Sequence, residues 1–419
     1  MSPLKLSWKN IWSKPLNTSL NILLIAFGTA ILTVLLLAST QIEDKLDKNS
    51  KDIDLVVGAK GSPLQLILSS IYYIDFPTGN IPMKEAQKLM KSPFVKRAVP
   101  LALGDNYNGV RIVGTDSNYI SLYGLKLQSG KFWEADLEAT IGTNVAKEQN
   151  LKVGDTFFGG HGLTEMKDEH TDHAYKVVGI LAPQQNVTDN LILTGISSVW
   201  KMHEDTPHPP RGGVSESIHE NVDHKHHAHE DEADHAHDED REFTSLLIQY
   251  RSPMAVAMFP MMVNQTTNMQ AASPAQESTR LFSLIGVGVD TLQWFAVLIM
   301  FIAAISVFVN LYNSLKERSY DLAIMRTLGA SKGKLFSLII LEGLILTFIG
   351  TIIGIALGHG ILQLIGSYQE SSQAKMNGLL FIDEEIYLLA AGLLIGIVAA
   401  IIPAIQAYRA DISKILAKN

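Results

Sequence analysis

The chain contains no cysteine. That excludes disulfide staples, thiolate metal sites and a cysteine nucleophile, and it leaves the compartment open. Positive charge is in short supply: 34 Lys and Arg stand against 42 Asp and Glu, a formal net charge of -8. With no basic stripe interleaved with aromatics, nucleic acid is not expected as a partner. The phosphate-cradling pattern G-x-x-x-x-G-K-[ST] is missing too, and with it a nucleotide-hydrolysing loop of that kind. No nucleophile and base fall in a recognisable positional signature. The chain is therefore not expected to be an enzyme.

What is present is apolar length. A helix needs roughly 20 apolar residues to cross about 30 Å of hydrocarbon. Four runs qualify: Leu16 to Ala38, Ile285 to Tyr312, Leu335 to Ile365, and Ile386 to Ile405. The first could be a cleaved signal, with Ala38-Ser39-Thr40 as its processing site. Its apolar stretch of roughly 18 residues exceeds the 7–15 of a signal core, so we read it as a retained anchor. The third run is long enough to tilt, or to end near Gly358 and Gly360. The expected fold class is membrane α-helical, with four transmembrane helices and a large α+β extracytoplasmic domain inserted between helices 1 and 2.

Orientation follows from the distribution of Lys and Arg. Lys5, Lys9 and Lys14 precede the first run with no acid among them. Lys316, Arg318, Arg326, Lys332 and Lys334 lie between the second and third runs, and Arg409, Lys414 and Lys418 follow the fourth. Residues 39–284 hold 33 Asp+Glu and 22 Lys+Arg, and residues 366–385 hold four acids and one Lys. Both termini and the 314–334 loop are expected on the cytoplasmic side, and the long insert outside. A reporter fused after Asn49 or Gln276 should then report the periplasm, and one after Ser331 the cytoplasm. A cytoplasmic signal from the fusion at 49 would overturn the architecture.

Three regions are expected: 1–39, an amphipathic segment and the first span; 40–284, the extracytoplasmic domain; and 285–419, carrying the other three spans. In the second, Asp54–Val57, Val110–Val113, Tyr175–Ile180 and Leu191–Leu193 read as strands and Pro82–Met90 as a short helix. Pro260 to Leu284 reads as a stalk toward the bilayer.

Between residues 202 and 241 lie nine of the 13 histidines. His224, His226, His227, His229, His235 and His237 stand among carboxylates, with no apolar period. Such a segment is a mobile loop by composition. One reading is a solvated linker. The other is weak, multi-site binding of zinc, copper or nickel by neutral imidazoles; no other cofactor is implied. Zinc taken up by residues 40–284 should weaken as pH falls through the histidine pKa, about 6.5 unperturbed, because protons compete for the same nitrogens. Deleting 203–240 should abolish most of that uptake in calorimetry and spare folding. Equal uptake with and without the segment would make it a linker only. His161, His170 and His173 form a second, weaker group, and His359 reads as structural.

In the spans, Gly350, Gly354 and Gly358 repeat every four residues, as do Gly392, Gly396 and Ala400. Small residues so spaced let helix backbones approach closely in lipid. Pro403 is expected to kink the fourth span. Residues 316–333 form an amphipathic helix, with Leu322, Met325 and Leu328 on one face and Gly329 as its C-terminal cap. It either lies on lipid headgroups or docks a cytoplasmic partner. Glu342, alone among apolar residues, is expected near the cytoplasmic interface, facing the bundle or a lysine.

The run from Glu317 through Arg318, Asp321 and Arg326 to Ser331, followed by Leu341-Glu342-Gly343, resembles the signature of MacB/FtsX-type ABC transporter permeases. Pro403 to Leu416 looks like that family's closing segment, and Leu6 to Pro15 its N-terminal amphipathic stretch. Val113-Gly114-Thr115, Ile141-Gly142-Thr143, Val153 to Phe157 and Val178-Gly179-Ile180 resemble its periplasmic core domain. The resemblance covers nearly the whole chain apart from the histidine-rich loop, which departs from the family pattern.

The resemblance implies a subunit that couples ATP hydrolysis by a separate cytoplasmic ATPase to motion of its periplasmic domain. The cargo would be a peptide, a lipoprotein or an amphiphile, with a link to metal supply from the loop. Glu317, Arg318, Asp321 and Arg326 would be the ATPase contacts. A second permease chain, identical or related, would pair with this one, and a periplasmic partner is compatible with the domain. The alternative is a non-transporting scaffold or metal-responsive regulator of a periplasmic enzyme.

Overall fold

Proline sets the first boundary. The residue before a proline is pushed out of helical geometry, and Lys14-Pro15 accordingly separates helix α1 (Pro3–Ile11) from helix α2 (Pro15–Ser50), where Pro15 takes the first helical position. The computed structural model describes residues 3–161, 167–204, 241–368 and 376–409. The chain divides into two compact units, Asp44–Phe282 and the pair Met1–Glu43 with Ser283–Asn419.

In Asp44–Phe282 the strands are β1 (Leu55–Ala59), β2 (Ile81–Pro82), β3 (Val95–Tyr107), β4 (Val110–Thr115), β5 (Leu127–Gly130) and β6 (Glu138–Ile141). β7 (Thr156–His161), β8 (Lys167–Leu181), β9 (Ile192–Gly195), β10 (Glu242–Phe243), β11 (Ser245–Tyr250) and β12 (Met269–Ala272) complete the set. One ten-stranded sheet runs β12-β1-β11-β3-β4-β9-β6-β8-β5, with β7 paired to β3 and β8. Its pairs are antiparallel except β4 with β9 and β6 with β8. β2 and β10 form a separate two-stranded ladder. All four strands and the helix expected here from sequence are present, the helix as Met83–Met90 with Pro82 at its cap.

The stalk expected from Pro260 is corrected. After helices α3 (Pro63–Ser70), α4 (Met83–Met90), α5 (Ser117–Tyr123), α6 (Thr143–Glu148) and α7 (Ile196–Glu204), helix α8 (Pro253–Thr266) buries Ala255, Phe259 and Val263 in an apolar core of the unit, and β12 forms the sheet edge beside β1. Pro260 inside α8 and the run of methionines blur the helical period, which is why sequence alone read a linker. In the same unit Tyr73 and Tyr119 share a buried hydroxyl contact at 3.1 Å. Burial pushes both phenols above their ordinary range, so they stay neutral.

The other unit contains α1, most of α2, most of α9 (Pro274–Glu317), and helices α10 (Ser319–Thr327), α11 (Lys332–Tyr368) and α12 (Glu385–Arg409). Among the described residues α2, α9, α11 and α12 are long and apolar enough to cross a membrane. α11 does not end at Gly358 or Gly360; it continues to Tyr368. Its glycines explain both its packing and its continuity. A Cβ on Gly350 would meet Ile25 Cβ at 2.8 Å, one on Gly354 would meet Thr29 Cβ at 2.6 Å, and one on Gly358 would meet Thr33 Cβ at 2.6 Å. The missing side chains are filled by α2, so the entropic cost of glycine is offset by contact. On α12, Gly392 and Gly396 sit against Thr351 and Thr347 of α11. α11 is thus the central helix, with α2 on one face and α12 on another.

Several polar side chains inside the bundle are paired. Ser306 donates to Asn21 Oδ1 at 2.7 Å between α9 and α2. His359 lies 2.6 Å from the Gly378 carbonyl through Nδ1 and 3.0 Å from Glu385 Oε2 through Nε2. The structural role read for His359 is the one its contacts describe.

Candidate functional site

At the end of the helical unit that carries α1 and α10, charged side chains collect around one buried carboxylate. Glu342 on α11 has a side chain only 4% exposed. Burying a carboxylate without partners is costly, and here the partners come from both ends of the chain. Asn10 Nδ2 donates to Glu342 Oε1 at 2.7 Å, and Arg318 Nη1 lies 3.6 Å from the same oxygen. Arg318 Nη2 also donates to the Asn10 carbonyl at 2.9 Å and to Ser13 Oγ at 2.7 Å. Lys14 pairs with Glu317. Ser7 Oγ donates to the Leu338 carbonyl at 3.2 Å, so α1 is tied along the start of α11.

α10 is short because its sequence stops it. Gly329 takes a positive φ of 100° just beyond the helix, and Ala330 N bonds back to the Met325 carbonyl at 3.0 Å. Leu322 and Ala323 are buried, Leu322 among Leu335, Leu338 and Ala404. Leu328 departs from expectation: it is 82% exposed rather than on the inner face with Leu322 and Met325. It lies past the last helical turn, where the 3.6-residue period no longer applies.

The four residues grouped from sequence as docking contacts separate by engagement. Glu317 and Arg318 are held in intramolecular pairs. Asp321 is exposed on the outer face of α10, beside the exposed Tyr320 and Ile324. Arg326 turns inward to a cavity of about 260 Å³ among the ends of α9, α10, α11 and α12. Asn10 and Ser13 were not singled out from sequence. The signal available was Glu342 itself, since a lone acid in an apolar helix demands donors and α1 supplies the nearest polar ones.

The histidine-rich segment with His224, His226, His227, His229, His235 and His237 lies outside the described residues. Among the described residues no three His, Cys, Asp or Glu converge on a metal position.

Two family models match separate stretches of the chain. The family model for the MacB-like periplasmic core domain matches residues 18–218, and that for the FtsX-like permease C-terminal region matches residues 294–412. The chain belongs to the MacB/FtsX-type ABC transporter permeases. Permease subunits of this type carry no ATPase site of their own, in keeping with the missing phosphate loop. With its four apolar helices, this permease is a multi-pass membrane protein.

An uncharacterized ABC transporter permease, YknZ of Bacillus subtilis, is 29% identical over 103 residues. That match spans 23% of this chain and 23% of the relative. Among solved structures, the periplasmic region of MacB from Actinobacillus actinomycetemcomitans aligns over 57% of this permease and 97% of its own chain, at 12% identity and TM-score 0.34. The extracellular domain of the noncanonic ABC-type transporter YknZ from Gram-positive bacteria aligns over 53% and 99%, at 11% identity and TM-score 0.30.

Proposed function

We propose that this permease docks a separate cytoplasmic ATPase on α10 and passes the ATPase's movement to its large α+β unit on the other side of a bacterial inner membrane. The exported or extracted cargo would be a peptide, lipoprotein or amphiphile, and a second permease chain would complete the complex. The observation that carries the reading is the two-sided character of α10. Its inner residues Leu322 and Ala323 are buried in the bundle, while Tyr320, Asp321, Ile324 and Leu328 are exposed. A helix joined by apolar contact to the spans and bare on its other face can receive a push and hand it on. The Arg318 and Glu342 contacts strengthen the hand-over, because they join the α9–α10 corner to α1 and α11.

The docking face is therefore Asp321 with its apolar neighbours, and Glu317 and Arg318 act behind it as anchors. The double variant Asp321→Lys, Leu328→Asp alters exposed side chains only, so the chain should insert and fold normally. Capture of the co-expressed cognate ATPase should drop by about tenfold or more, the scale of losing interface anchors worth over 1.4 kcal/mol. Undiminished capture by a well-folded double variant would remove α10 from the coupling role.

A further inference from the structure

Arg326 presents an unanswered chemical demand. Its Nε and Nη1 are buried and have no hydrogen-bond partner among the described residues. Guanidinium donors removed from water without an acceptor carry a full desolvation penalty, so an acceptor from outside the described residues is called for. The cavity that Arg326 lines has a second cation, Lys316, and no carboxylate among its described lining. Leu322 and Leu335, both buried, form apolar wall, and Tyr312, Ser319 and Gln406 supply neutral polar groups. The site thus combines two positive charges, neutral donors and apolar walls at the point where apolar helices α9 and α12 give way to polar ends.

We propose that this cavity is a binding site for the headgroup of an anionic phospholipid. The phosphate oxygens accept from the Arg326 guanidinium, whose paired N–H groups offer a two-pronged edge that ammonium does not. Lys316 adds a second positive charge, and the glycerol and upper acyl carbons rest on the leucine wall. Basic pockets between membrane helices are suited to anionic headgroups on general electrostatic grounds. A free phosphate would match the donors and leave the apolar wall unused. The inference rests on the four apolar helices lying in a bilayer and is independent of whether α10 docks an ATPase.

The test uses the full-length chain, reconstituted in phosphatidylcholine nanodiscs that contain a minor fraction of phosphatidylglycerol, with retained lipid read by native mass spectrometry after detergent release. Wild type should retain phosphatidylglycerol in preference to phosphatidylcholine. Arg326→Gln should lower that preference about tenfold, the scale of one lost charge-assisted pair. Arg326→Lys should fall between the two. Ser319→Phe keeps the guanidinium and fills the cavity, so it should lose the preference as well, and it carries the test alone if Arg326→Gln does not fold. Arg409→Gln, outside the cavity lining, should leave retention unchanged. Equal retention of both lipids by wild type would overturn the proposal, as would indifference to both Arg326→Gln and Ser319→Phe. Displacement of the lipid by equimolar inorganic phosphate would make a free anion the occupant and overturn it too.

Discussion

Arg318→Ala is expected to destabilise the helical unit by roughly 3 kcal/mol, the lower end of the loss caused by removing one member of a buried ion pair. The lower end applies because the Arg318 side chain is 21% exposed and water can enter its place. Glu342 stays buried, and its charge is then met by Asn10 alone. The Asn10 carbonyl also loses one of its donors, keeping Ser13 Oγ and N, and the Ser13 hydroxyl loses the guanidinium. Thermal unfolding of the purified permease in detergent measures the loss. The double variant Arg318→Ala, Glu342→Gln should recover most of it, because removing both charges leaves no uncompensated carboxylate. A single variant as stable as wild type would mean that the charge cluster does not hold α1 to the bundle.

A larger effect is expected from Gly354→Leu. Even a Cβ at this position would lie 2.6 Å from Thr29 Cβ and 2.7 Å from the Ala26 carbonyl oxygen, and a backbone atom cannot rotate aside. Overpacking of this sort costs about 1–3 kcal/mol for small additions, and a leucine adds three further carbons in the same gap. The α2–α11 contact should open, with earlier unfolding and faster proteolysis. Gly360 provides the control on the same helix, since nothing lies within 4 Å of its missing side chain. Gly360→Leu should be close to neutral. Equal damage from both substitutions would show that the contact with α2 does not set the cost, since leucine is the better helix former at both positions.

These sites differ in how far they can be read from the chain alone. The four-residue spacing of Gly350, Gly354 and Gly358 is visible in the sequence, and so is its meaning for close approach. That the matching surface is Ile25, Thr29 and Thr33 is not visible, because nothing in the sequence says which of the other three spans the glycines meet. Local apolar runs likewise disclose β1, β4, β8 and β9. The long β3 escapes notice, since Lys96, Arg97, Pro100 and Asp105 interrupt its pattern and its stability comes from β11 and β4 on either side. The docking residues show the same divide. Residue type marked Glu317, Arg318, Asp321 and Arg326 alike, while their different roles depend on Asn10, Glu342 and a cavity contributed by four helices.

The tie between Ser7 and the Leu338 carbonyl spans 331 positions. No such contact exists until the ribosome has made nearly the whole chain, which at about 5–20 residues per second takes tens of seconds. Throughout that interval α2 stands in the bilayer without α11. Its threonines are equipped for the wait: Thr29 donates to the Ile25 carbonyl at 2.8 Å and Thr33 to the Thr29 carbonyl at 2.9 Å, both within the helix. A lone α2 thus offers lipid no unsatisfied hydroxyl at those positions. Residues 44–282 emerge complete before α11 and α12 are begun, so the order of synthesis separates the making of the sheet from the closing of the bundle.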